Sequence, residues 1–558
     1  MHLRFRPLEI RSVPALAVLL AVFAVLGTTV DPTEPKEAPA VVLVMNDDGD
    51  NSFPSADHGA AERMVRADMR ALAATAVDTV AYTVGAGVLN YPTMEGSRVG
   101  WRVTALEDEP GWERIARGRA ALAAGFDPIR TAAEVLRPAG KRFVLSFRIN
   151  DSHFAAEPEA SPLTTRFWLE NRHLTLGASA PLRANESYRN LLDFGKREVR
   201  EHKLALIFEA LERYADVADG VQIDFTRAPV LFAEGEARKA APLVTDFLAR
   251  VRDRLATLER ADGRRRLLLV RVPPSPENAL WAGLDVAAWI ERGLADVVIP
   301  SQLMTTAQDM PVEAFTRLAQ GTNVRIVPSL HPRHSLGWRF VGEDPGTDLV
   351  GPETGRAELP FVYGAAAVYA RKSADGFELF NWAARNWLRA DWFRDATLKL
   401  ASGAFSHEDT LVYSVPNTYY LDRSGGYEYP KALPAKVGAN GSRFKIEVGV
   451  ATDCREVICT LRIGIDAPGG PPHALAVALD GRRLADLEPT DFVATPITTL
   501  APSSEGYRHR APTHYAYVDL NEAVLLAGQH LASLSSEPPA TVNAIELGTF
   551  GPSGVANE

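Results

Sequence analysis

Between residues 40 and 403 the chain alternates short, unbroken apolar runs with longer segments of helical period. The runs occupy residues 41–45, 79–84, 143–147, 221–225, 267–270, 297–299, 324–327 and 377–380. Continuous hydrophobicity over so few residues predicts strands covered on both faces, as in parallel sheets. Residues 196–214 show the other pattern, with Val199, Leu204, Ile207, Phe208 and Leu211 recurring at helical spacing. Eight such strands alternating with helices predict the α/β class, as a (β/α)8 TIM barrel with enlarged loops. A doubly wound open sheet is the competing architecture, but the glycine fingerprint that follows its first strand is missing.

Beyond residue 404 the helical period disappears. Segments 443–450, 458–465, 474–479, 515–520 and 543–547 read as short strands, with Asp480-Gly481 and Pro468-Gly469-Gly470 as turns between them. Residues 404–558 are therefore expected to form a small antiparallel β-sandwich behind a barrel domain of residues 40–403. The two cysteines, Cys454 and Cys459, fall in this strand-rich stretch, either as a local disulfide or as two core thiols.

The first 30 residues carry a different signal. Arg4, Arg6 and Arg11 precede an uncharged run over residues 12–30, and a Pro-containing polar linker follows over 31–39. A basic region, an apolar region and small residues near Gly27 match a secretory signal peptide. An uncleaved anchor is the rival, because the run comes close to the length that spans a bilayer. The expected location is outside the cytoplasm, with membrane association only if the segment stays attached.

Composition narrows the field. With 60 basic against 70 acidic residues, net −10, the chain lacks the footprint of a nucleic-acid binder. Its sequence contains no zinc-type Cys/His spacing, phosphate-binding glycine loop or Gly-x-Ser-x-Gly elbow, so neither cofactor nor metal is expected.

The ends of the apolar runs are polar, and strand ends are where barrels present functional groups. In order they offer Asn46 and Asp47 with Asp48; Arg148, Asn150, Asp151 and His153; Asp224 and Arg227; Arg271; Gln302; His331; and Asn381 with Trp382. Amides, carboxylates and guanidinium groups can bridge the hydroxyls of a polyhydroxylated ligand, and an aromatic face can stack on a sugar ring. Blander readings stay open: Asp47 and Asp48 could cap a helix or bind a cation, the histidines could be ordinary loop residues, and Trp382 could be core packing.

Three motifs carry a family resemblance: Arg-x-Asn-Asp-x-His at 148–153, Arg-Phe-Trp-Leu-Glu at 166–170, and Gly-Val-Gln-Ile-Asp-Phe-x-Arg-x-Pro at 220–229. Together with Leu-Phe-Asn-Trp at 379–382, they resemble the family-10-like glycosyl hydrolases of bacteria. That resemblance implies a TIM barrel, export and a polysaccharide or oligosaccharide substrate. The chain departs from classical retaining barrels in having Asp224 after the fourth strand and no carboxylate after the seventh. Glycoside hydrolysis needs two carboxyl groups, roughly 5 Å apart for retention or 6.5–9.5 Å for inversion. Asp224 is expected as the first, held ionised by Arg227, and Asp151 as the second. Asn46, Asp47, Arg148, Asn150, His153, Arg227, Arg271, Gln302, Asn381 and Trp382 are expected to bind substrate. Glu378 is the weaker choice for the second carboxylate, because strand alternation places it opposite Asn381. Two other functions remain: a carbohydrate-binding barrel without turnover, and a lyase acting on uronic acids through Arg148, Arg227, Arg271 and His153.

Overall fold

The structure is a computed structural model that describes residues 42–49, 51–102, 112–181, 186–302, 306–331, 359–383, 385–415, 432–494 and 512–551. The N-terminal basic and apolar segment and its linker lie outside the described residues. No helix among the described residues is long and apolar enough to cross a membrane.

All eight apolar runs are strands of one parallel sheet. They are β1 (Val42–Asp47), β2 (Thr79–Thr83), β3 (Arg142–Arg148), β4 (Gly220–Asp224), β5 (Leu267–Val272), β6 (Val297–Pro300), β7 (Arg325–Ile326) with β8 (Ser329–Leu330), and β9 (Gly376–Phe380). The strand of the seventh run resumes beyond it as β8, and the break falls at Pro328, which has no N–H to donate to a neighbouring strand. The sheet order is β8-β9-β1-β2-β3-β4-β5-β6-β7, so its two outer strands are successive pieces of one chain segment. Val327 N donates to Val298 O at 2.9 Å on one side, and Glu378 N donates to Pro328 O at 3.0 Å on the other. The sheet is therefore curled until its edges meet on that segment. Helices fill the crossovers, among them Arg197–Arg213 before β4, the segment read as helical from its spacing.

Strand alternation gives the curled sheet two separate apolar populations. Leu43, Met45, Val80, Phe143, Leu145, Val221, Ile223, Leu268, Val270 and Leu379 belong to the large core that includes the helices. The residues of opposite parity, Val44, Ala81, Val144, Leu269, Val297, Ile299 and Val327, form their own small cluster. Further along the strands, that second parity changes from aliphatic to polar.

The C-terminal region consists of antiparallel sheets. Strands β10 (Leu411–Ser414), β11 (Ala435–Val437), β13 (Ile458–Asp466), β16 (Phe492–Ala494), β17 (His514–Asp519) and β19 (Ala540–Phe550) form one; β12 (Ser442–Val448), β14 (Leu475–Leu479), β15 (Arg482–Leu487) and β18 (Gly528–Ser536) form the other. Asp480 and Gly481 make the two-residue turn between β14 and β15, with φ of 49° and 81°. Paired positive φ values are what a hairpin of this length demands, and Gly tolerates them at no steric cost. Cys454 and Cys459 are joined as a disulfide.

The helix Leu359–Arg371 packs tightly on β10: a Cβ on Gly364 would stand 2.2 Å from Val412 O. Gln308 bridges the same place, donating to Val412 O at 2.7 Å and accepting from Ser414 N at 2.7 Å.

Candidate functional site at the strand ends

Above the inner aliphatic cluster, side chains of the same parity build a continuous hydrogen-bond network. Gln222 Oε1 accepts from Asn46 Nδ2 and from Ser146 Oγ, each at 2.7 Å. Gln222 Nε2 donates to Glu378 Oε1 at 2.8 Å, and Arg271 Nε donates to Glu378 Oε2 at 2.7 Å. Arg271 continues to Asp224 Oδ2 at 2.8 Å, Thr226 Oγ1 at 3.0 Å and Ser301 Oγ at 2.6 Å. Its guanidinium carbon lies 3.8 Å from the ring centroid of Phe380. β1, β3, β4, β5 and β9 each contribute to this network, as does Ser301 just after β6. Polar groups so deep in a fold are tolerable only when bonded to one another.

The charges in the network are set by what surrounds them. Burial, the largest influence, pushes Glu378 above the ordinary glutamate value despite Arg271. Asp224 feels the same burial, but Arg271 and the Thr226 hydroxyl and N–H outweigh it and hold the carboxyl below the usual range. Both Thr226 bonds reach Asp224 Oδ1 at 2.7 Å, so both carboxylate oxygens are occupied.

Nearer the surface lies a second cluster. Arg148 pairs with Asp48 and, at 3.3 Å, with Asp151 Oδ2. Burial first, then the neighbouring Arg227 guanidinium, pushes Arg148 down to about 10. Asp151 Oδ1 accepts from both His153 N at 2.8 Å and His153 Nδ1 at 2.7 Å. His153 Nε2 lies 3.2 Å from Arg227 Nη2, and its side chain is 44% exposed, while that of Asp151 is 2% exposed. Burial pushes the Asp151 carboxyl up, yet His153, Arg148 and Arg227 together hold it far below its usual 3.8.

A carboxylate held low in the fold stabilises it only while ionised. Stability is expected to fall as pH drops below about 4, where the unfolded chain takes up protons that folded Asp151 and Asp224 resist. The urea midpoint of Asp151→Asn should therefore decline less steeply with acidification than that of the wild type. Identical slopes would contradict the assignment.

The structure relocates several residues expected at the site. The guanidinium that holds Asp224 is chiefly Arg271, its registered neighbour on β5, with Arg227 contributing less. The chain turns after Asp224 onto Thr226, which carries Arg227 towards His153. Asn46 faces the buried network, whereas Asp47 Oδ1 accepts from Gly49 N at 2.9 Å as a turn cap. Asn150 donates to Val230 O at 2.6 Å and holds the loop after β4. Gln302 is buried, with no hydrogen-bond partner for either amide atom among the described residues. His331 is also buried, its ring 5.8 Å from Phe380.

Trp382 is a correction. It is 0% exposed, donates Nε1–H to Leu330 O at 2.9 Å and packs against Trp387 and Phe393. Its ring belongs to the core and offers no face to a sugar. The alternation used to set Glu378 aside also fails, because Asn381 has φ of 62° and has already left the strand. Gln222 and Ser146 were missed as site residues, Ser301 was passed over at the end of the sixth run, and Glu378 was ranked only as the weaker second carboxylate. Their signal was parity: Gln222 lies two before Asp224, Ser146 two before Arg148, and Glu378 two before Phe380.

Among the described residues, no group of three His, Cys, Asp or Glu side chains could hold a metal ion. The chain matches no protein-family model and no curated protein sequence. Among solved structures it is similar to the GH36 alpha-galactosidase AgaA of Geobacillus stearothermophilus, with 12% identity, a TM-score of 0.35, and coverage of 89% of this chain and 56% of that one. The chain thus spans little more than half the length of that enzyme. The catalytic domain of beta-amylase from Paenibacillus polymyxa is similar at 11% identity and a TM-score of 0.35, covering 66% of this chain and 99% of that domain. Tryptophan synthase of M. tuberculosis is similar at 14% identity and a TM-score of 0.27, covering 65% and 93%. Likenesses this distant carry no argument about activity.

Proposed function

We propose that this chain is an exported carbohydrate-active enzyme, a glycoside hydrolase of the family-10-like kind. In this reading residues 40–403 are a (β/α)8 barrel and residues 404–558 a β-sandwich. The observation that carries the proposal is the convergence of polar side chains from five strands on one end of the curled sheet, with an ionised Asp224 among them. Barrel enzymes work at that end, and a fixed carboxylate there opposes the positive charge that develops on a sugar during glycosidic cleavage. With both oxygens already bonded, Asp224 suits electrostatic stabilisation better than nucleophilic attack.

The occupied oxygens of Asp224 and Asp151 favour one other reading, a barrel that binds glycans without turning them over. The lyase reading is weaker, because Arg148 and Arg271 are already paired with carboxylates and have little left for a uronic acid. A panel of polysaccharides and p-nitrophenyl glycosides, read for both binding and released product, separates the readings. Release supports the hydrolase, and binding without release supports the binding barrel.

Export is part of the proposal. The disulfide supports it, since such bonds persist mainly outside the reducing cytosol. N-terminal sequencing of protein from its native envelope should begin after the 12–30 run. An intact Met1 in the cytoplasmic fraction would contradict it.

A further inference from the structure

We propose that His153 is the general base of the reaction and that Asp151, expected from the sequence as the second catalytic carboxylate, is its positioning residue; this rests on the hydrolase reading above. Asp151 cannot easily meet a substrate: Oδ2 faces Arg148, Oδ1 receives two bonds from His153, and the side chain is 2% exposed. His153 is the opposite case, with a ring 44% exposed beside the strand ends.

The hydrogen bonds also choose the tautomer. An ionised Asp151 can only accept, so the proton sits on Nδ1. Nε2 then carries the lone pair and accepts from Arg227 Nη2 at 3.2 Å. A carboxylate bonded to one imidazole nitrogen leaves the other oriented and basic, the same division of labour seen where Asp, His and a nucleophile act in series. The local sequence explains the rigidity. In the Asn150-Asp151-Ser152-His153 turn, the carboxylate that orients the ring also accepts the main-chain N–H of the same histidine.

When a water molecule replaces Arg227 Nη2 at the Nε2 lone pair, Nε2 takes a proton from that water as the water's oxygen forms a bond to the anomeric carbon. The glycosidic C–O bond breaks, and its electron pair stays on the departing sugar oxygen, which takes a proton from solvent water. The imidazolium then returns its proton to solvent, so one water is consumed for each bond cleaved. Arg227, once displaced from Nε2, is placed to hold a substrate hydroxyl beside it.

The test uses full-length protein and whichever p-nitrophenyl glycoside the wild type hydrolyses. His153→Ala should lower kcat by about 10²–10⁴-fold with KM little changed, as for loss of a positioned base. Free imidazole should restore part of the rate, since it can enter the space of an exposed ring. Asp151→Asn should lower kcat without rescue, because the ring remains but its tautomer is no longer fixed. His153→Gln, with unfolding followed in parallel, keeps the test sound if the alanine variant is unstable. A raised KM with unchanged kcat, or a loss that imidazole does not restore in His153→Ala, overturns the proposal while leaving the hydrolase reading intact. Failure of the wild type to hydrolyse anything overturns both.

Discussion

Arg271→Met should cost more stability than any other single substitution at the strand ends. Methionine approximates the length of the arginine stem but makes none of its hydrogen bonds. The variant would leave Asp224 and Glu378, 2% and 0% exposed in their side chains, with no cation between them. Removing one partner from a buried ion pair typically costs about 3–5 kcal/mol, because the remaining charge is stranded. Here two carboxylates are stranded together. Urea denaturation should show a loss of at least that size in the transition of the barrel region. Glu378→Gln in the Arg271→Met background should recover part of it by removing one negative charge. A loss under about 1 kcal/mol would mean that the network is not bonded as described.

Asp224→Asn should damage turnover as severely as any single substitution at the strand ends. The amide keeps the shape of the carboxylate and can still accept from Thr226, but it no longer carries the charge. Its Nδ2 would also face Arg271 Nη1, donor against donor, where a 2.8 Å bond now stands. Turnover should fall about 10²–10⁴-fold, the usual contribution of a positioned acidic group, while the protein stays folded. Lys196→Ala, with a half-exposed side chain before the helix that leads into β4, should behave as the wild type.

The strands were readable from the chain because burial on both faces forces unbroken aliphatic runs. That signal located all eight runs, and their polar ends located Arg148, Asp151, Asp224 and Arg271. What the runs conceal is which side chains share a face across different strands. Arg271 and Arg227 are equally good partners for Asp224 in one dimension, and register decided for Arg271. Gln222 lay unremarked inside an apolar run and Glu378 was set aside by alternation with Asn381, although their parity with Asp224 and Phe380 marked them as inward. Trp382 misled for a related reason: once Asn381 adopts a left-handed conformation, the next side chain points away from the strand pattern and into the core. In the C-terminal region, Gly528–Ser536 went unread because Gln, His and three Ser dilute its alternation, yet it is central to its sheet between Ser442–Val448 and Leu475–Leu479.

The central claim is that the strand ends around Asp224 hydrolyse glycosidic bonds. The most direct measurement is release of reducing ends from a polysaccharide panel by the full-length protein, run beside Asp224→Asn of verified fold. The account predicts release by the wild type on at least one glycan and a loss of at least about 100-fold in the variant. Equal release by both proteins, or binding with no release by either, would contradict it.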